Sequence, residues 1–155
     1  MGSNHQPPPN MDFTELLSMF RQGKGTAKSH MKNLIEMAAA DGDFADVEFT
    51  LLKSIAKRNN ISESQLAQIR KNPSDTTFEV PTDGKVKFSQ LYDLVRMMAV
   101  DSSIHEEERK LSNLFAIRFG YPKEKVEELV TVIHSNIKNN QTPDETMKRV
   151  ELLIR

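Results

Sequence analysis

The segment that decides the fold is "AAADGDFADVEF", residues 38–49. An alanine-rich run, typical of helix, meets Asp41 and Gly42, and then an apolar residue and Glu48. The second half of an EF-hand calcium loop has the same order of glycine, apolar residue and glutamate. The segment therefore predicts two helices joined by an acidic turn, and it raises the question of whether this turn binds a metal ion.

Composition is typical of one cytoplasmic domain. The chain has 155 residues, enough for a single domain with a real core, and it has no cysteine, which excludes a disulfide scaffold and thiolate zinc sites. No apolar run approaches the roughly 18 residues of a membrane span. Residues 1–10, "MGSNHQPPPN", lack the features of a secretory signal and are predicted to be a disordered tail. The net charge of 21 − 22 = −1 argues against nucleic-acid binding.

Apolar spacing predicts helices along most of residues 11–155. "DFTELLSMF", for example, places its apolar residues three and four positions apart, which is typical of an amphipathic helix. Thr26, Ser62 and Thr142 precede further segments of this kind and are suited to cap them. Pro122 is suited to a first helical position. No segment alternates with the period of a strand, so we expect an all-α domain of about eight helices.

The chain resembles itself at an offset of 60 residues. Residues 35–69 align without a gap on residues 95–129, and seven pairs are identical where about two are expected from average composition. The pairs are Met37/Met97, Ala39/Ala99, Asp41/Asp101, Glu48/Glu108, Leu51/Leu111, Ala56/Ala116 and Arg58/Arg118. We therefore expect two pseudo-repeated helix–acidic turn–helix–helix units, at about 26–72 and 86–138, joined by an irregular connector at 73–85.

The two predicted turns concentrate negative charge. Residues 41–48 and 101–108 each contain four carboxylates and neither lysine nor arginine. The carboxylates are Asp41, Asp43, Asp46 and Glu48 in the first turn, and Asp101, Glu106, Glu107 and Glu108 in the second. Two windows of −4 in a chain of −1 leave the remainder at +7. This separation of charge is the strongest indication of function in the sequence.

Helix capping accounts for part of this charge. Asp43-x-x-Asp46 and Ser103-x-x-Glu106 both have the shape of a capping box, in which side-chain oxygens accept from free backbone N–H groups. Acids also favour the positive end of a helix, and each cap contributes about 1 kcal/mol.

Capping does not account for Asp41 and Asp101. Both are placed at the carboxyl end of the preceding helix, where the helix dipole disfavours a carboxylate. A bound cation would offset this cost, as would a basic residue of a partner, or Arg58 and Arg118 of the chain itself.

A complete EF-hand loop is excluded. Its first and third ligand positions fall on Met37 and Ala39, and in the second copy on Met97 and Ala99, which have no side-chain oxygen. If the two turns meet about a pseudo-twofold axis, they could share one ion. If they do not meet, each turn could hold an ion of its own that is more hydrated. The candidate ligands are Asp41, Glu48, Asp101 and Glu108, with Asp43, Asp46 and Glu106 as secondary candidates. Calcium, magnesium and manganese suit such all-oxygen sites.

The paired segments "AAADGDFADVEFTLL" and "MMAVDSSIHEEERKL" resemble the TerB-like domains, which include the tellurite-resistance TerB proteins and the N-terminal domain of the DjlA co-chaperone. The resemblance covers roughly residues 26–135. It implies an all-α fold of two pseudo-repeated units, a non-enzymatic role in stress response, acidic residues that bind metal, and complexes at the inner face of a membrane. Ser102 and Ser103 depart from the glycine and acid of the first turn, so the second site matches the pattern less well.

Two functions follow as hypotheses. The first is a non-enzymatic, cytoplasmic stress-response module that binds a divalent cation through the acidic turns. The alternative is a metal-free protein-interaction module, which docks partners through its acidic turns and through a basic surface. That surface would comprise Lys24, Lys28, Lys32, Lys53, Lys57 and Arg58. No nucleophile–base set points to catalysis, although an enzyme that acts through the acidic pair is a third reading.

Overall fold

All regular structure in the described residues is helical. The computed structural model describes residues 12–40, 46–71, 80–99 and 105–154, and of residues 46–48 and 154 it describes the backbone alone. Within these ranges there are eight helices and no strand. The all-α prediction is therefore confirmed. The predicted tail at 1–10 and most of the connector at 73–85 lie outside the described residues. The helices form two compact units, which divide between Glu79 and Val80.

The first unit contains four helices, of which the second is central. They are α1 (Phe13–Arg21), α2 (Ala27–Ala40), α3 (Asp46–Arg58) and α4 (Glu63–Lys71). Helix α2 packs against each of the other three, and α3 also packs against α4. The core is formed by the fully buried side chains of Leu16, Leu17, Leu34, Ile35, Leu52, Ile55 and Leu66. Burial of each of these side chains contributes about 1.5–3 kcal/mol relative to exposure.

The second unit also contains four helices. They are α5 (Gly84–Met98), α6 (Glu106–Arg118), α7 (Val126–Lys138) and α8 (Pro143–Ile154). Helix α7 packs against α5, α6 and α8, and α5 packs against α6 and α8. The core contains Leu91, Leu94, Met97, Phe115, Phe119, Leu129 and Ile133. Because α8 closes against both α5 and α7, it completes the apolar enclosure of this unit.

Three of the predicted helix caps are confirmed. The Thr26, Ser62 and Thr142 hydroxyls each accept a hydrogen bond from the backbone N–H three residues further on, at 3.0–3.1 Å. The side chain of Gln65 in turn accepts from the Ser62 N–H at 2.9 Å, which completes a capping box. Local sequence therefore fixes the starts of α2, α4 and α8.

The prediction for Pro122 is wrong. Helix α7 begins at Val126, four residues later, and Lys125 is its N-cap. The Lys125 N–H donates to the Pro122 carbonyl at 2.9 Å, which closes a separate turn before the helix. Pro122 thus takes the first position of this turn and contributes the carbonyl oxygen that closes it.

Helices α3 and α6 end in the same way. Asn60 and Gly120 follow them with left-handed φ angles of 60° and 95°. In each case the next residue donates its N–H to an alanine carbonyl five residues earlier. These bonds run from Ile61 to Ala56, at 2.9 Å, and from Tyr121 to Ala116, at 3.1 Å. This is a helix-terminating motif, and it pairs some of the carbonyls that are left free at a helix end. The two motifs stand 60 residues apart in the sequence.

Candidate functional site

Each acidic turn connects two helices that pack against each other. The first turn follows α2, which ends at Ala40, and precedes α3. The second follows α5, which ends at Met98, and precedes α6. Of the predicted ligands, Asp41, Asp43 and Asp101 lie outside the described residues. The structure thus describes the helices that flank each predicted turn in the sequence.

The remaining candidate ligands lie in the first turns of two corresponding helices. Asp46 and Glu106 are the first residues of α3 and α6, and Glu48 and Glu108 are the third. The side chains of Asp46 and Glu48 are outside the described part of the chain, whereas Glu106 is exposed and Glu108 is half-buried. An acid in the first turn is stabilised by the positive end of the helix dipole, so these positions suit carboxylates with or without a cation.

The N-cap of α6 is not the predicted Ser103, which lies outside the described residues. His105 is the N-cap of α6, with an extended backbone (φ −65°, ψ 144°), whereas a cap at residue 103 requires residue 105 to be helical. The Nδ1 atom of His105 accepts a hydrogen bond from the Glu107 N–H at 3.2 Å. His105 is exposed, and its imidazole satisfies one of the free N–H groups of the helix start.

A buried serine links the two helices on either side of the second turn. The Ser112 hydroxyl is fully buried, and it lies 2.9 Å from the Met98 sulfur and 3.2 Å from the Glu108 carbonyl oxygen. Its single proton serves one of these acceptors at a time. The contact with Met98 joins the last residue of α5 to the second turn of α6. At the corresponding position of the first unit lies Leu52, which is also fully buried.

The predicted ligand set stays a prediction. In the part of the chain that is described, no three histidine, aspartate or glutamate side chains are arranged to hold a metal ion. Only Glu106 and Glu108 among the predicted ligands have described side chains.

A half-buried carboxyl group, which sequence reasoning did not single out, lies in the last turns of α2. Burial raises the pKa of Glu36 above its ordinary value, and the positive charge of Lys32 opposes this shift. The spacing of apolar residues around Glu36 does not distinguish it from an acid on the protein surface. The partial burial is visible only once α2 is packed in its unit.

Sequence reasoning also missed a pocket in the second unit. Its volume is about 360 Å³, and it lies between the start of α5, the turn that follows α6, and α8. The residues that line it are Gly84, Lys85, Lys87, Phe88, Gly120, Tyr121, Pro122, Met147, Val150 and Glu151. The only local indication of this pocket in the sequence was Tyr121, the aromatic residue that follows Gly120 in "FGYP".

Comparisons with known proteins give no relative from which a function can be transferred. No family model, no curated protein and no solved structure matched the chain. No helix within the described ranges combines the length and the apolar character that a membrane span requires.

Proposed function

We propose that the chain is a non-enzymatic stress-response module that binds a divalent cation at its two acidic turns. The ligands in this proposal are Asp41 and Glu48 from the first turn, and Asp101 and Glu108 from the second. Calcium, magnesium and manganese are the candidate ions, because carboxylate oxygens are the donors that they prefer.

The observation that carries the proposal is the correspondence between α3 and α6. Both helices have 13 residues, begin 60 residues apart, and have a glutamate as their third residue. Their ends share the same hydrogen-bonding motif, which also ends α7. Paired core positions are buried alike, as at Ile55 and Phe115. This correspondence supports a pseudo-repeat that presents two similar acidic turns, as the resemblance to TerB-like domains implies.

Isothermal titration calorimetry on metal-stripped protein tests the proposal. We expect binding heat with at least one of calcium, magnesium and manganese, and a loss of that heat in the variant that combines Asp41→Asn with Glu48→Gln. A second variant, Asp101→Asn with Glu108→Gln, tests the other turn. If both turns share one ion, either variant abolishes binding; if each holds its own, each variant removes part of the heat.

The matched control is the variant that combines Glu127→Gln with Glu128→Gln. Both acids are exposed in the first turn of α7, so the control removes the same charge from a similar helical position outside the turns. Absence of heat in the parent protein at millimolar cation rejects the proposal. An equal loss of affinity in the control and in the turn variants also rejects it, because the effect is then one of net charge.

The cellular part of the proposal rests on the resemblance alone. It places the protein in the cytoplasm, in contact with protein partners, including a complex at the inner face of a membrane. Deletion of the coding sequence in the native host should lower survival on tellurite, and the parent sequence should restore it. Restoration by the Asp41→Asn and Glu48→Gln variant as well would separate the stress response from cation binding.

A metal-free interaction module is the second candidate, and one observation favours it. None of the six basic residues that form its proposed basic surface is buried, and Glu106 is exposed at the second acidic turn. Charges of both signs are thus accessible to partners without a bridging ion. Capture of a partner that survives a chelator and weakens with added salt would support this function over cation binding.

A further inference from the structure

The pocket of the second unit combines an apolar floor with a charged rim. Phe88, Tyr121 and Val150 are buried to at least nine-tenths of their surface and form the floor. The rim carries two lysines, Lys85 and Lys87, and one carboxylate, Glu151. A volume of about 360 Å³ is at the lower end of the range of small-ligand pockets, which is roughly 300–1,000 Å³. The pocket therefore suits a compact ligand with an apolar body.

One of the two lysines is held at the pocket by an aromatic ring. The Lys87 ammonium lies 5.3 Å from the centre of the Tyr121 ring, within the range of a cation–π interaction. In the described part of the chain no carboxylate forms an ion pair with Lys87. A positive charge is thus placed at the edge of the apolar floor.

Tyr121 is buried in the wall of the pocket. Burial raises the pKa of its phenol to about 12, because the phenolate is poorly solvated there. In such surroundings a charge-assisted hydrogen bond to the nearby ammonium is stronger than it is in water.

Two glycines, Gly84 and Gly120, are among the residues that line the pocket. A Cβ atom built on Gly84 or on Gly120 meets no other atom within 4 Å, so neither glycine is required by close packing. Gly84 has an ordinary backbone angle and accepts a side chain without strain, whereas Gly120 has a φ of 95°, at which any side chain strains the backbone. Substitution at Gly84 therefore offers a way to obstruct the pocket without strain in the backbone.

We infer that this pocket binds a compact amphipathic carboxylate, with its apolar body on Phe88, Tyr121 and Val150 and its carboxylate at Lys87. Glu151 on the rim adds a negative charge, so the site favours a single carboxylate over a multiply charged anion. Two sources share this chemistry, a free medium-chain carboxylic acid and the carboxyl-terminal apolar residue of a polypeptide. None of the lining residues belongs to the acidic turns, so this site is independent of the proposed cation function.

Methyl NMR on protein labelled at its methionine methyl groups tests the inference. Met147 lines the pocket, and the buried Met97 in the core of the same unit serves as the internal reference. Octanoate is the probe, with octanol and octylamine as analogues of the same apolar length but different charge. We expect octanoate to shift the Met147 resonance in a saturable way and to bind about tenfold more tightly than octanol, the size of one charge-assisted hydrogen bond. Octylamine should bind more weakly than octanol.

Two variants locate the site. Lys87→Met keeps the length of the side chain and removes the charge, so it should reduce the preference for octanoate over octanol to near unity. Gly84→Leu should weaken both ligands. The matched control is Lys148→Met, which removes an exposed lysine next to Met147 in the sequence that does not line the pocket. It should bind octanoate as the parent protein does.

A short peptide that ends in leucine distinguishes the two sources. Binding of the peptide with a free carboxylate, and not of its carboxamide, would assign the pocket to polypeptide ends, whereas binding of octanoate alone would assign it to free acids. Either result supports the inference. It is overturned if neither ligand shifts Met147, if octanol or the carboxamide binds as well as the carboxylate, or if Lys87→Met leaves the preference unchanged.

Discussion

The glycine that follows α6 gives a quantitative test of the local structure. Gly120 has a left-handed φ of 95°, and a Cβ atom there meets nothing within 4 Å. Gly120→Ala therefore introduces no steric overlap, and its effect arises from the backbone alone. A residue other than glycine costs roughly 1–2 kcal/mol in a left-handed conformation. The smaller entropy of the unfolded chain returns about 0.4–1 kcal/mol, so we expect a net loss of about 1 kcal/mol in the free energy of unfolding.

Gly84→Ala is the matched comparison. A Cβ atom at Gly84 also meets nothing within 4 Å, but the backbone of this residue is that of the first residue of α5. At this site alanine lowers the entropy of the unfolded chain and does not strain the folded backbone, so we expect the free energy of unfolding to rise by about 0.4–1 kcal/mol. Gly120→Asn should fall between the two alanine variants, because asparagine tolerates the left-handed region better than alanine does. Asn60 and Asn140 already do so in this chain, at φ angles of 60° and 58°.

Urea unfolding followed by far-ultraviolet circular dichroism measures these differences. The unfolding free energy should fall for Gly120→Ala and rise for Gly84→Ala, with an unchanged dependence on urea concentration. Equal effects of the two alanine substitutions would refute the reasoning, since the backbone angle is the property that separates the two sites.

Three further results are expected. Glu36→Gln should stabilise the protein at neutral pH, because burial raises the pKa of the Glu36 carboxyl and disfavours its charged form. Urea unfolding at a series of pH values should show this gain disappear as the pH falls through the raised pKa towards the ordinary value of 4.5. In a spectrophotometric titration Tyr121 should ionise near pH 12 and Tyr92 above pH 10, and in denaturant the pKa of both phenols should return to about 10. Because the unfolded chain loses these protons first, the free energy of unfolding should fall as the pH rises from 10 to 12. Phe115→Ala should cost about 3–5 kcal/mol, because the ring is 1% exposed, whereas Leu152→Ala, at 72% exposure, should change the unfolding free energy by less than about 0.5 kcal/mol.

The helices were predictable because their signals are local. Apolar spacing identified the buried face of α1, where Leu16 and Leu17 are fully buried, and hydroxyl residues at 26, 62 and 142 identified three helix starts. Each signal depends on groups within about one turn of each other, which the sequence displays directly. The failures were local as well: Pro122 begins a turn, and His105 takes the capping position that Ser103 was expected to hold.

The sequence by itself determined the all-helical class, three of the helix starts and an internal offset of 60 residues. The ends of α3 and α6 lie at this same offset. Only the tertiary structure decided which side chains meet across the second unit, where Lys87 lies over Tyr121 and a pocket opens beside Val150. These residues lie more than 25 positions apart, on separate elements. A periodic pattern shows which face of a helix is buried, but the partner of that face depends on how the helices pack, which is a property of the whole unit and of no single segment.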